Sequence, residues 1–326
     1  MRGKALSHRI RRFCLIFTSL VAASAIAQDY PAKPIRFVIT GGAGGSTDVV
    51  ARVVGDKLAG ALGQPFVYDN RPGASGIIAA EITAKAPPDG YTIYLGTTGG
   101  TAINVSLFKK LPYDPVRDFA PIILVGSQPY MLIVHPSVPA KTVAELVKLA
   151  KAAPGQLSFS HTGMGSATHL AGALFEGVAG INFLSVPYKS PAHFTAVISG
   201  EVSFTITSVY LSWVQVQAGK LRALAVTGKQ RSAVAPNVPT MAEAGVPGYD
   251  MGNWYGLLMP AATPAPIINL LNAKANEVLK KPETKSVLAK AEIDVIGGSP
   301  QEFAKFIAAE TAKYAALIKH AGIKAE

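Results

Sequence analysis

The chain has 326 residues, 31 lysines and arginines against 20 acidic residues, a formal charge of +11 and one cysteine. That length suffices for two sizeable hydrophobic cores, and a lone cysteine excludes a disulfide scaffold within the chain. The basic residues are scattered, without a run of five or six and without interleaved aromatics, so the charge gives no support to nucleic-acid binding.

Residues 1–27 carry the three parts of a secretory signal. Arg2, Lys4, Arg9, Arg11 and Arg12 form its basic region. Phe13 to Val21 is the apolar stretch, too short to span a bilayer, and Ala25-Ile26-Ala27 is the small-residue cleavage site. Cleavage after Ala27 removes those five basic residues and no acidic one, so the charge falls from +11 to +6. It also removes Cys14, and with it all thiol chemistry. Arg11-Arg12 permits twin-arginine export, but the residues after it fit general secretion better. The expected fate is export from the cytoplasm.

Further along, Ile35 to Ile39 reads as a strand, Thr40 to Gly45 as a glycine-rich turn, and Ser46-Thr47-Asp48 as the start of a helix with Val50, Val54, Leu58 and Ala61 on one face. Strands are predicted at 66–68, 91–95, 122–125 and 131–134. Thr142 and Glu145 form a capping box for the next helix. Leu157 to Ser160 is a strand, followed by the turn His161-Thr-Gly-Met-Gly-Ser166 and a helix with Leu170, Leu174 and Val178 at helical spacing. Strands follow at 202–206 and 221–226. Beyond Pro260 the pattern is helical, with Ile267, Leu271, Ala275 and Val278 on one helix and Phe303, Ile307, Tyr314, Leu317 and Ile318 on the last. Strands alternating with helices predict a largely parallel α/β architecture.

Two domains are expected, with chain crossings at Gln128-Pro129-Tyr130 and at Gly252-Asn253-Trp254-Tyr255. Residues 28–129 and 254–326 then form a discontinuous first domain, and 130–253 form the second. Each domain receives one strand–glycine turn–helix unit, at the carboxyl end of its strand where open α/β sheets bind ligands.

A helix start leaves up to four backbone N–H groups unpaired and carries partial positive charge, so each turn is an anion cradle. Nucleotides fit poorly, because Gly41 is followed by no Gly-Lys-Ser/Thr and neither turn has the three glycines of a dinucleotide fingerprint. Gly44 to Asp48 also fails as a nucleophile elbow, having Asp where the last glycine belongs. Of the histidines left after cleavage (His135, His161, His169, His193, His320), none has metal-binding spacing. The candidate ligand residues are Gly41, Gly44, Gly45, Ser46 and Thr47, with Asp48 in support. The second turn adds His161, Thr162, Gly163 and Ser166, with His161 able to donate to an anion, and Thr97 is placed in the same cleft. Trp254 and Tyr255 read as hinge packing. No metal or cofactor is predicted.

The series Asp-Asn-Arg-Pro-Gly-Ala (69–74), Pro-Asp-Gly-Tyr-Thr (88–92), Leu-Pro-Tyr-Asp-Pro (111–115), His-Leu-Ala-Gly (169–172), Val-Pro-Tyr-Lys (186–189), Gly-Lys-Leu-Arg-Ala-Leu-Ala-Val-Thr (219–227) and Val-Pro-Thr (238–240) resembles the Bug family. These are periplasmic substrate-binding components of tripartite tricarboxylate transporters. The resemblance implies a two-domain Venus-flytrap protein of the periplasmic-binding class that closes on a carboxylated solute and passes it to membrane permease subunits, without catalysis.

The family's ligand loops map onto Thr40–Asp48 and Ser160–Ser166. This chain departs from the family pattern at Gly41, where an aromatic is usual and whose loss should enlarge the pocket or loosen the loop. It departs again at Thr207-Ser208, where many members carry Asp, and the loop Ser190 to His193 is about one residue short. With that acid absent, the expected ligand is a carboxylate without an amino group, mono- or dicarboxylic, aromatic acids included, and the expected state is a monomer. The competing readings are a secreted hydrolase built on Ser46 or Ser166 and a periplasmic sensor module for a kinase.

Overall fold

The computed structural model describes residues 30–189 and 191–320. The signal segment, Cys14 and Ser190 lie outside the described residues. The chain folds as a mixed α/β structure around a ten-stranded sheet.

In chain order, β1 (Ile35–Ile39), α1 (Ser46–Leu62), β2 (Phe66–Asn70), α2 (Ile77–Ala84) and β3 (Thr92–Thr97) form the first edge. A wide turn at Gly99–Ile103 and the short α3 (Asn104–Leu107) lead into the long β4 (Phe119–Val134). Then come α4 (Val143–Ala152), β5 (Ser158–His161), α5 (Ala167–Ala179), β6 (Leu184–Pro187), α6 (Ala192–Ile198), β7 (Phe204–Ser208), α7 (Val209–Gln217) and β8 (Arg222–Val226). The chain returns through β9 (Gly252–Pro260) and closes with α8 (Ala265–Lys280), α9 (Pro282–Lys290), β10 (Asp294–Gly297) and α10 (Pro300–His320).

The strand order is β2-β1-β3-β9-β4-β7-β5-β6, with β8 and β10 added to β4. Pairing is parallel at the two ends (β1 with β2 and β3, β5 with β6 and β7) but antiparallel everywhere around β4 and β9. The expectation of a largely parallel sheet is corrected accordingly. A single pass in each direction through the middle of the molecule makes the central strands antiparallel neighbours, whereas crossover helices make the outer ones parallel.

β4 was expected as two strands, 122–125 and 131–134, and Gly126 and Pro129 lie between them. Both have specific places in one continuous strand. An added Cβ at Gly126 would come within 2.4 Å of the Asp294 carbonyl oxygen, so only glycine lets β10 lie this close. Pro129 pairs with Gly252 at the last step of the β4–β9 ladder, beyond which β4 continues with β7 and β8.

Helix faces follow the apolar spacing. Val50, Val54 and Leu58 of α1 are buried together with Ile267, Leu271, Ala275 and Val278 of α8 in one core. Leu170 and Leu174 of α5 and Phe303, Ile307, Tyr314 and Ile318 of α10 share a second core, and α6 and α7 cover a third. Val178 departs from its expected face and is exposed. The capping box at Thr142 and Glu145 is formed, with both reciprocal hydrogen bonds. Among the described residues no helix is long and apolar enough to cross a membrane.

Candidate functional site

The two glycine turns come together on one cavity of about 800 Å³. In the first, β1 ends at Ile39 and the helix cap is Gly45 in extended conformation, so Ser46 is the first helical residue rather than the cap. Gly44 is left-handed (φ +78°), which favours glycine, and its N–H bonds the Asp48 carboxylate at 3.0 Å. Asp48 also accepts from Arg52 Nε and Asn70 Nδ2, each at 3.0 Å, while Asn70 reaches the Gly41 carbonyl at 2.8 Å. Burial would raise the Asp48 pKa, but these donors outweigh it and hold the carboxyl below its ordinary range. The loop is therefore tied down from behind, despite the missing aromatic. An added Cβ at Gly41 would come within 2.9 Å of Thr47 Cβ, so a larger residue fits only if Thr47 moves.

In the second turn Ser166 caps α5: its hydroxyl accepts the His169 N–H at 3.1 Å and lies 2.7 Å from the Gly163 carbonyl oxygen, to which it donates. Thr162 N–H bonds Thr168 Oγ1 at 3.0 Å. Behind the turn, His161 Nδ1 accepts from Gly163 N–H at 3.2 Å and His169 Nδ1 from Gly165 N–H at 3.3 Å, with the two rings 4.7 Å apart. Because the Ser166 hydroxyl is occupied as a cap, Ser166→Ala is expected to cost about 0.5–2 kcal/mol of stability, measurable by denaturant unfolding.

Of the sequence candidates, Gly41, Gly45, Ser46, Thr47, Thr97, Thr162, Gly163, Ser166, Thr207 and Ser208 line the cavity. Gly44 and His161, expected as ligand contacts, and Asp48, expected as their support, do not line it. Asp48 is 4 % exposed and spends its oxygens on the loop. His161 is fully buried at the end of β5, stacked on Phe159, and braces the turn instead of facing its mouth.

Sequence reasoning missed the loop Pro72–Gly76, Phe108, Tyr130, Lys189 and His193, which also line the wall. The strand-end rule could have found the loop after β2; the others meet the cavity only through long-range packing. Trp254 and Tyr255 are buried packing residues: Trp254 lies edge-on to Phe303 and Phe306, and the Tyr255 hydroxyl donates to Gln128 at 2.9 Å.

The cavity favours anions. The N–H groups of Ser46, Thr47 and Asp48 at the start of α1, and of Met164, Ala167 and Thr168 around the start of α5, have no partner among the described residues. Among the described residues no aspartate or glutamate lines the wall, and Lys189 is the one formally charged side chain on it. Across the mouth, the Ser75 hydroxyl donates to the Met164 carbonyl and Asn104 holds the Ser75 carbonyl at 3.1 Å. Ala74 and Ser75 both have left-handed backbones (φ +43° and +52°). Neither Ser46 nor Ser166 bonds a histidine ring nitrogen among the described residues.

A two-lobed α/β fold with an anion-favouring cleft at the carboxyl ends of its strands defines a periplasmic solute-binding protein. The model of the tripartite tricarboxylate transporter family receptor matches residues 50–323. The chain belongs to this family, the Bug proteins. It is 35 % identical over 311 residues to Protein BugT of Bordetella pertussis, covering 95 % of each chain. Among solved structures, Rpa4515 of R. palustris with adipate is 36 % identical with a TM-score of 0.88, over 91 % of this chain and 100 % of that one. MatC of Rhodopseudomonas palustris with bound malate is 30 % identical with a TM-score of 0.84, over 89 % of this chain and 100 % of that one.

Proposed function

We propose that this protein captures a small carboxylated solute without an amino group in the cavity between its two glycine turns and delivers it to the membrane permease subunits of a tripartite transporter, without chemical turnover. The observation that carries this reading is the convergence, among the described residues, of partnerless N–H groups from two helix starts on one cavity with no acid on its wall. The adipate and malate held by similar proteins support a carboxylate. A ligand ammonium has no carboxylate partner on this wall, which favours plain mono- or dicarboxylates, aromatic ones included, over acidic amino acids.

The ligand contacts in this reading are Gly41, Gly45, Ser46, Thr47, Thr97, Thr162, Gly163, Ser166, Thr207 and Ser208. The moving bodies are 28–129 with 254–326, and 130–253. The change of β4's partners beside Pro129 and Tyr130, and the start of β9 at Gly252, support these boundaries. The protein acts as a monomer in the periplasm after cleavage behind Ala27, a site that N-terminal sequencing of the exported protein checks.

Calorimetric and thermal-shift titration test the reading. A cognate carboxylate at a hundred times its Kd should stabilise the fold by about 2.7 kcal/mol. Tight binding of aspartate or glutamate with no response to plain carboxylates would overturn it.

A further inference from the structure

Between β2 and α2 the backbone runs through four consecutive left-handed residues, Gly73 (φ +120°), Ala74 (+43°), Ser75 (+52°) and Gly76 (+89°). Ala74 and Ser75 carry side chains, and such residues stay in this region only where the surrounding structure fixes them there. The strained backbone presents the Ser75 hydroxyl, which crosses the cleft and donates to the Met164 carbonyl in the second glycine turn. The loop is braced from its own side: Asn104 Nδ2 donates to the Ser75 carbonyl at 3.1 Å, and Gly76 N–H closes on the Gly73 carbonyl at 3.0 Å. Opposite it, the second turn has no side chain where the two halves meet. An added Cβ at Gly165 would come within 2.8 Å of the Phe108 ring and 3.3 Å of Asn104 Oδ1, so only glycine permits this approach.

We infer that Ser75 is the latch of the cleft: carried by one half of the molecule, its hydroxyl locks a peptide of the anion-binding turn in the other half and so slows escape of the bound solute. The inference rests on the moving bodies and the carboxylate reading above and deepens them. The Met164–Gly165 peptide is held at both ends, its carbonyl by Ser75 and its N–H by His169 Nδ1 at 3.3 Å. Gly163 and Gly165 are left-handed (φ +113° and +75°), and a glycine backbone leaves this part of the turn the freest to rotate. His169 sits in the same half as the turn and keeps its bond when the cleft opens, whereas Ser75 withdraws. Closure therefore covers the solute and fixes the shape of the second cradle in one movement. Because the Ser75 hydroxyl gives its single proton to Met164, Ser75 is a positioning residue acting through the turn, and its effect is the same for every solute the cleft accepts.

The test compares the mature chain with Ser75→Ala and Ser75→Gly, using adipate, malate and benzoate as probes in stopped-flow binding. Ser75→Gly removes the hydroxyl and the backbone strain together, which separates loss of the latch from damage to the loop. Both variants should release every probe that binds about three- to tenfold faster, the range for one lost hydrogen bond, while association rates stay within about twofold. Hydrogen exchange of the probe-saturated chain should quicken over 163–168 in both variants and stay unchanged over 40–48. Unchanged release and exchange, or faster release in Ser75→Ala that Ser75→Gly restores, overturns the latch while leaving the carboxylate reading intact. Faster release of one probe alone makes Ser75 a ligand contact and also overturns it. Binding of no probe to the unsubstituted chain overturns the carboxylate reading, and the latch with it.

Discussion

Acidification from neutrality to about pH 4.5 is expected to destabilise the folded chain steeply and to weaken ligand binding over the same range. His169 and His193 are held at about 4, against an ordinary 6.5, first by burial and then by the neighbouring His161, whose own pKa burial also lowers. Below 6.5 the unfolded chain binds protons that these rings in the folded chain refuse. Their stabilising contribution is therefore complete above about 6.5 and is lost as the pH falls toward 4. Each ring steepens the fall by up to about 1.4 kcal/mol per pH unit.

The groups hydrogen-bonded to these rings are the Gly163 and Gly165 N–H groups and the Thr207 hydroxyl, with no carboxylate among them. Protonating Nδ1 of His161 or His169 removes an acceptor that braces the second turn, which couples stability to binding. Melting temperature and Kd measured from pH 7.5 to about 4.5 check this; a melting temperature constant down to pH 5 would contradict it.

Asp48→Ala should cost about 1.5–3 kcal/mol of stability, the range for losing hydrogen bonds to a charged acceptor, and should reduce ligand affinity although Asp48 faces away from the cavity. The loss leaves Gly44 N–H without its acceptor and Asn70 Nδ2 with only the Gly41 carbonyl, and so loosens the loop that carries Gly41 to Thr47. Asp48→Asn, retaining one oxygen acceptor, should lose less. Denaturant unfolding with a parallel titration separates the outcomes: lower stability with unchanged affinity would show that the first turn keeps its shape without the carboxylate.

Much of the fold was legible because apolar runs beside glycine turns mark strand–helix units, as at Ile35 to Val54 and Leu157 to Phe175. β9 escaped because Trp254 to Met259 is a continuous buried run with no alternation to distinguish strand from helix. β6 and β10 are four-residue strands with mostly exposed or half-buried residues and carry almost no pattern. In the site, the turns were readable because helix-start chemistry is local. Asp48 was readable as a supporting residue for the same reason, since its partner Gly44 is four residues away. His193 was not, because its meeting with Thr207 depends on α6 and β7 packing side by side, which spacing along the chain does not encode.

The long central pair has a consequence for how the chain acquires its structure. β4 and β9 make the largest strand–strand contact in the molecule, yet all of α4 to β8 lies between them in sequence. In chain order β4 precedes both β9 and β10, so the two edges of its first half, Ile122 to Val125, await partners that come after the inserted segment, whereas Met131 to Val134 pair with β7 and β8 inside it. Such an edge is a site for mispairing until its partner arrives. The central ladder therefore closes late, through contacts distant in sequence, and its formation joins the two halves into one cooperative structure.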